Sequence, residues 1–109
     1  MKLIIAIVQN EDAYILTDAL RDADYSVTKL STTGGFLKIN NVTLLIGTEE
    51  DRVDKAIEII QNICKSREQV ISTPMPSSYT ESAFASYSVN VKVGGATVFV
   101  MDVDQFLKF

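Results

Sequence analysis

The sequence predicts an α+β fold, with an antiparallel sheet covered on one face by two helices. Two observations support this class: short β-branched and apolar runs recur along the chain, and two longer stretches between them have helical apolar spacing. The chain has 109 residues, of which 47% are hydrophobic and 22% are charged, and it has few glycines and prolines. This composition is typical of a folded globular protein, and the length predicts a single domain over residues 1–109.

The first half of the chain predicts a strand, a helix and two more strands. The apolar run over 3–8 suits a buried strand, and Asn10 suits the N-cap of a helix over 11–24. Residues 25–31 alternate as a second strand does, and the apolar run over 42–47 predicts a third strand. We therefore expect a β-α-β-β unit in this half.

The second half predicts another helix, a fourth strand and one long irregular segment. Residues 48–51 approximate a capping box that starts a helix over 49–66. The apolar stripe of this helix consists of Val53, Ala56, Ile57, Ile60, Ile63 and Cys64. A fourth strand is expected at 68–71, and the segment 72–87, which holds both prolines, is expected to be irregular.

Paired glycines divide the last two strands. Gly94 and Gly95 predict a tight hairpin between a strand over 88–93 and a buried strand over 96–103. The amphipathic tail 104–109 predicts one helical turn. The complete order is β-α-β-β-α-β with an extra C-terminal hairpin strand. This order predicts a ferredoxin-like sandwich with both helices on one face, a fold that by itself determines no function.

The composition excludes several kinds of site and partner. The chain has no histidine, so Ser-His-Asp triads and His-ligated metal sites are impossible, and its single cysteine cannot form an internal disulfide or a multi-cysteine zinc site. The net charge of −4 disfavours general nucleic-acid binding. The apolar run at the N-terminus is too short to span a membrane and lacks a signal-peptide cleavage site. We therefore expect a cytoplasmic protein with a reduced thiol.

The segment 28–38 is the strongest candidate for ligand binding. It places four hydroxyl side chains, two lysines and two glycines around Phe36. Backbone N–H groups at glycines and side-chain hydroxyl groups can hold a phosphate, and Phe36 could stack on a base. The same residues also fit a hairpin loop with turn glycines and solvated threonines, since they do not form a Walker A motif.

The other reactive or charged residues have structural interpretations. Cys64 lies on the apolar stripe of the second helix, which predicts an inert buried thiol because no histidine can activate it. Glu11, Asp12 and the acidic residues 49–51 lie at predicted helix starts, where the helix dipole stabilises negative charge. These residues therefore predict no catalytic or metal site.

Several segments together resemble one known family. Residues 1–9, 28–30, 32–37, 52–54, 67–69 and 93–100 are similar to the PII-like cyclic di-AMP receptors of Gram-positive bacteria. The resemblance covers the whole chain. It implies a PII-like homotrimer without enzymatic activity that binds cyclic di-AMP in clefts between subunits and signals to a downstream protein. The short loop after the second strand would cradle the ligand, and the long loop after the fourth strand would respond to it.

The resemblance also implies which residues bind the ligand. The pocket would be lined by Thr28, Gly35, Phe36, Leu37, Asn41 and Gly47, and closed by Phe99 and Lys108 of the adjacent subunit. Asn41 would read an adenine edge, because an amide both donates and accepts hydrogen bonds. Backbone N–H groups at 35–37 and the Thr28 hydroxyl would hold phosphate. The resemblance implies no cofactor and no metal besides this ligand.

Departures from the family at positions 26, 76, 77 and 108 leave a second function open. Pro76 and Ser77 stand where relatives usually carry two glycines. Ser26 stands where relatives commonly carry arginine, and Lys108 stands where they carry a polar amide. The alternative is a PII-like trimer that has lost or changed its nucleotide specificity and acts as a protein-interaction module. An acylphosphatase-like enzyme is disfavoured, because Glu11 and Asp12 after the first strand would repel an acyl phosphate.

Overall fold

The computed structural model describes residues 1–30, 41–74 and 86–109, and it describes side chains over 1–30, 41–70 and 90–109. Six strands and two helices are present in these ranges, together with one 3-10 turn, Glu50–Arg52. The elements are β1 Lys2–Gln9, α1 Asn10–Asp22, β2 Ser26–Leu30, β3 Asn41–Thr48, α2 Val53–Cys64, β4 Arg67–Pro74, β5 Ser86–Val93 and β6 Ala96–Asp102.

The main sheet has the order β2-β3-β1-β6, and all of its neighbouring strands are antiparallel. One face of this sheet packs on both helices, where Ile4, Leu44 and Ile46 join Leu16 of α1 and Ile60 of α2 in the core. The predicted ferredoxin-like α+β fold is thereby confirmed. The predicted stripe of α2 is confirmed as well, since every one of its members is either buried in the core or packed against it.

The opposite face of the main sheet, which we call the open face, carries the odd-numbered residues of β1, β3 and β6 and the even-numbered residues of β2. These residues alternate with the core residues because successive side chains of a strand point to opposite faces. Leu3, Ile5 and Ile7 on the open face are half-buried, whereas Phe99 and Met101 are 52% and 50% exposed. The open face is therefore largely apolar at its centre.

Strands β4 and β5 form a separate two-stranded sheet, which corrects three predictions. The fourth strand runs over Arg67–Pro74, longer than predicted, and it pairs with β5 instead of joining the main sheet. The predicted irregular segment 72–87 contributes residues 72–74 and 86–87 to this hairpin, and residues 75–85 lie outside the described part. Gly94 and Gly95 link the two sheets rather than closing a hairpin, because β6 pairs with β1.

Four local predictions were wrong. Asn10 is already helical and Gln9 is the N-cap without a side-chain cap, because the pairing of β1 extends to Gln9. Thr48 does not cap a helix, because it is the buried last residue of β3. The strand β6, which was expected to be buried, is an exposed edge strand, and the tail 104–109 forms no helical turn.

Neither α1 nor α2, which are the helices of the described ranges, has the length and apolar character needed to cross a membrane.

Candidate functional site

A first cavity of about 530 Å³ lies on the open face, at the end of the sheet where Ser26 pairs with Gly47. Its lining includes Leu3, Ser26, Thr28, Leu45, Gly47 and Phe106. Ser26 and Thr28 present their hydroxyl groups on the same face, because they are two residues apart on β2. Gly47 leaves the floor open, since a Cβ atom added there would meet nothing within 4 Å. Phe106 reaches this cavity from the C-terminal tail.

A second cavity of about 350 Å³ lies where β1 ends and β3 begins. Its lining includes Gln9, Asn41, Gly94, Gly95, Ala96 and Thr97. Gln9 and Asn41 are direct partners in the register of β1 and β3. The backbone N–H of Gly94 donates to Oε1 of Gln9 over 2.8 Å. Two amide side chains therefore meet at this cavity beside the link between the sheets.

The two cavities lie at opposite ends of β3. Asn41 and Gly47 are six residues apart on this strand, which corresponds to about 20 Å. One protomer thus presents a hydroxyl-bearing cavity at one end of its open face and an amide-bearing cavity at the other.

Comparison with known proteins identifies the family of this chain. A family profile described as cyclic-di-AMP receptor matches residues 1–109. The chain belongs to the cyclic-di-AMP receptor family. It is also similar to a protein of known structure from Pediococcus pentosaceus ATCC 25745, described as functionally unknown, with 47% identity over 99% of this chain and 96% of that chain and a TM-score of 0.78. The predicted resemblance is therefore confirmed.

The structure of this receptor-family chain separates the predicted ligand-binding residues into groups. Thr28 and Gly47 line the first cavity, whereas Asn41 lines the second. Phe99 lies between them on the open face, opposite Ile5 of β1. Lys108 is exposed on the tail, two residues after Phe106. The predicted residues Gly35, Phe36 and Leu37 lie outside the described residues.

The base of the β4–β5 hairpin is held by an ion pair that the sequence analysis missed. Asp12, only 4% exposed, accepts hydrogen bonds from Arg67, whose Nη2 lies 2.9 Å from Oδ1 and whose Nη1 lies 3.4 Å from Oδ2. Nη1 also donates to the carbonyl oxygen of Lys65 over 3.2 Å. The hydrogen bond to Asp12 raises the pKa of Arg67 above its ordinary value. This pair ties the first strand of the hairpin to the start of α1.

One feature of the sequence could have revealed the ion pair. Asp12 lies four and eight residues before Leu16 and Leu20, which places it on the buried face of α1 rather than on the solvated face. A carboxylate on a buried helix face requires a cationic or hydrogen-bonding partner. The helix dipole was therefore an incomplete explanation of Asp12.

Cys64 is buried at the end of α2, as predicted. Burial and, to a smaller extent, the nearby negative charge of Asp12 raise the pKa of its thiol to about 11, although the charge of Arg67 acts in the opposite direction. The group is thus a neutral thiol at neutral pH, which is unsuited to nucleophilic attack.

Proposed function

We propose that this protein binds cyclic di-AMP without converting it chemically, in clefts between the subunits of a homotrimer. The identity of the ligand is supported by the match of the whole chain to the cyclic-di-AMP receptor family. The two cavities support the location of the site between subunits, because each of them contains only some of the expected binding residues.

The separation of the cavities supports a site shared by two subunits. A cyclic trimer has heterologous interfaces, in which one surface of each subunit meets a different surface of its neighbour. The hydroxyl-bearing end of one open face can thus meet the amide-bearing end of the next. Thr28 and Gly47 of one subunit would then complete the site that contains Asn41 of its neighbour, which replaces the expectation that these three residues bind the ligand from the same subunit.

The open face supplies the apolar surface that such an assembly needs. Ile5 at its centre is flanked by Leu45 on β3 and Phe99 on β6, and Leu3 is flanked by Met101. Within the described part of the chain, β6 is the edge strand of the main sheet, and six of its seven side chains are exposed. Exposed edge strands and apolar patches of this kind mark association surfaces.

Replacing Met101 with aspartate is expected to convert the trimer into monomers. Met101 is half-exposed in the protomer, so the protomer tolerates a charge there, whereas a carboxylate covered by a second subunit without a partner is costly. Light scattering after size exclusion measures the mass. The control is Tyr14→Asp on the helix side of the molecule, where Tyr14 is also exposed and where the trimer should persist. A Met101→Asp protein of unchanged trimeric mass would contradict the proposed interface.

The lining of both cavities suits a ligand with two negative charges. Among the described lining residues, no side chain is acidic and none is cationic. Besides the N-terminal ammonium of Met1, which lines the first cavity, and Lys108 of the tail, phosphate would be recognised by hydroxyl and backbone N–H groups, of which Ser26 and Thr28 supply two hydroxyls. Neutral donors of this kind can hold an anion locally in a protein whose net charge is −4.

Calorimetric titration with cyclic di-AMP, cyclic di-GMP and ATP tests which nucleotide the protein binds. The variant Gly47→Leu tests whether the first cavity is part of the binding site. A Cβ atom at position 47 would have no neighbouring atom within 4 Å, so the variant should fold. The leucine side chain would occupy the first cavity, and we therefore expect cyclic di-AMP to bind at least tenfold more weakly. The control Asn90→Leu adds the same side chain at an exposed position of β5 and should bind as the unmodified protein does.

The outcomes of this titration separate the two functions. A trimer that binds none of the three nucleotides would favour the alternative, a protein-interaction module. Equal affinity of Gly47→Leu and the unmodified protein would remove the first cavity from the site. Appearance of linear dinucleotide or AMP during incubation would contradict the absence of enzymatic activity.

A further inference from the structure

Gln9 is not among the ligand-binding residues that the sequence predicted. It is the last residue of β1, on the open face, and it pairs across the sheet with Asn41. Its side chain lines the second cavity and contacts the backbone of Gly94, 85 residues away in the sequence. Gln9 therefore connects the amide-bearing cavity with the link that follows the β4–β5 hairpin.

The contact with Gly94 fixes the orientation of the Gln9 amide. A backbone N–H can only donate, so the group 2.8 Å from the Gly94 nitrogen must be the amide oxygen. The Nε2 group, which carries two hydrogens, then lies on the other side of the amide. An isolated glutamine could present either its oxygen or its nitrogen to a ligand, but this glutamine presents a donor.

We propose that Gln9 is a specificity-determining residue, whose Nε2 group donates a hydrogen bond to N1 of the adenine that Asn41 reads. The proposal rests on the proposed function and names a second reader for the same base. The ring nitrogens N1, N3 and N7 of adenine are all acceptors, whereas N1 of guanine carries a hydrogen. A fixed donor directed at N1 therefore favours adenine over guanine, whereas a donor to N3 or N7 would not, because these atoms are acceptors in both bases. Asn41 can supply both a donor and an acceptor.

Two substitutions of Gln9 separate base reading from its structural contact. Gln9→Glu keeps an acceptor for the Gly94 N–H but removes the donor, and Gln9→Ala removes both. We expect cyclic di-AMP to bind about tenfold more weakly to Gln9→Ala than to the unmodified protein. Binding to Gln9→Glu should be weaker still, because its carboxylate would lie against the acceptor nitrogen of a ligand that carries two negative charges. Gln61→Glu makes the same change of charge at an exposed position of α2 and should bind within about twofold of the unmodified protein.

Analogues of cyclic di-AMP identify the acceptor atom. The 1-deaza analogue should lose about tenfold in affinity for the unmodified protein and lose little more for Gln9→Ala, since the same hydrogen bond is already absent. Equal binding of the 1-deaza analogue and the parent ligand, or a Gln9-dependent loss only with the 3-deaza or 7-deaza analogue, would overturn the assignment.

The failures of the two proposals are distinguishable. If the unmodified protein does not bind cyclic di-AMP, both are overturned. If it binds, but Gln9→Glu binds equally well, the proposed function stands and the role of Gln9 is overturned.

Discussion

Gly94→Ala is expected to lower the free energy of unfolding by about 3 kcal/mol. Gly94 has φ of +85°, which strains any residue with a Cβ atom. An added Cβ would also lie 2.6 Å from the carbonyl oxygen of Lys65 and 2.5 Å from Nη1 of Arg67. The guanidinium can move away, but the backbone carbonyl cannot do so without displacing the end of α2. Chemical denaturation at one fixed protein concentration measures the effect, because the stability of an oligomer depends on concentration.

Alanine variants of two other glycines distinguish the cost of backbone strain from the cost of the steric clash with Lys65. Gly95 has φ of +95° but nothing within 4 Å of an added Cβ, so Gly95→Ala should cost only the backbone strain, about 1–2 kcal/mol. Gly47 has neither problem, so Gly47→Ala should leave the stability nearly unchanged. Equal losses at Gly94 and Gly95 would show that the collision with Lys65 does not contribute.

Arg67→Met is also expected to lower the free energy of unfolding by about 3 kcal/mol, because it leaves the carboxylate of Asp12 buried without its cationic partner. Arg67 is 41% exposed, so water reaches one side of the pair and the loss should lie at the lower end of the range for buried ion pairs. Denaturation at neutral pH measures the change. The surface control Arg21→Met should lose less than about 1 kcal/mol, which corresponds to its interaction with the C-terminal end of α1.

A double variant distinguishes a missing attraction from an unpaired charge. Asp12→Leu combined with Arg67→Met removes both charges and replaces them with apolar side chains of similar size. We expect this variant to recover much of the stability lost in Arg67→Met, because the buried carboxylate is gone. A double variant that is less stable than either single variant would instead indicate that packing around the pair is responsible.

Local sequence patterns were sufficient to predict the helices and strands whose buried faces follow from the spacing of residues close together along the chain. The stripe of α2 and the alternation along β1 and β3 identify the buried faces, because helices and strands repeat with fixed periods. Local patterns failed where two elements compete for one residue. Thr48 has a suitable side chain for a cap, but β3 already uses it, and Gln9 rather than Asn10 precedes α1 because the pairing of β1 continues to Gln9.

The apolar strand β6 shows a different limit of prediction from sequence. Its sequence predicts burial, yet six of its seven residues are exposed in the protomer. An apolar run shows that a strand is suited to burial, but it does not show which part of the chain or which partner would bury it. The same ambiguity explains why the fourth strand was expected in the main sheet, since a local pattern does not show which of β4 and β6 pairs with β1.

The sequence by itself determined the order of the elements, the family and the identities of the candidate ligand-binding residues. Only the tertiary structure separated Asn41 from Thr28 and Gly47, paired Asp12 with Arg67 and brought Gln9 to Gly94. The physical reason is that periodicity and motifs describe neighbours along the chain. Strand register and contacts between residues 55 and 85 positions apart are decided by how the elements pack against one another.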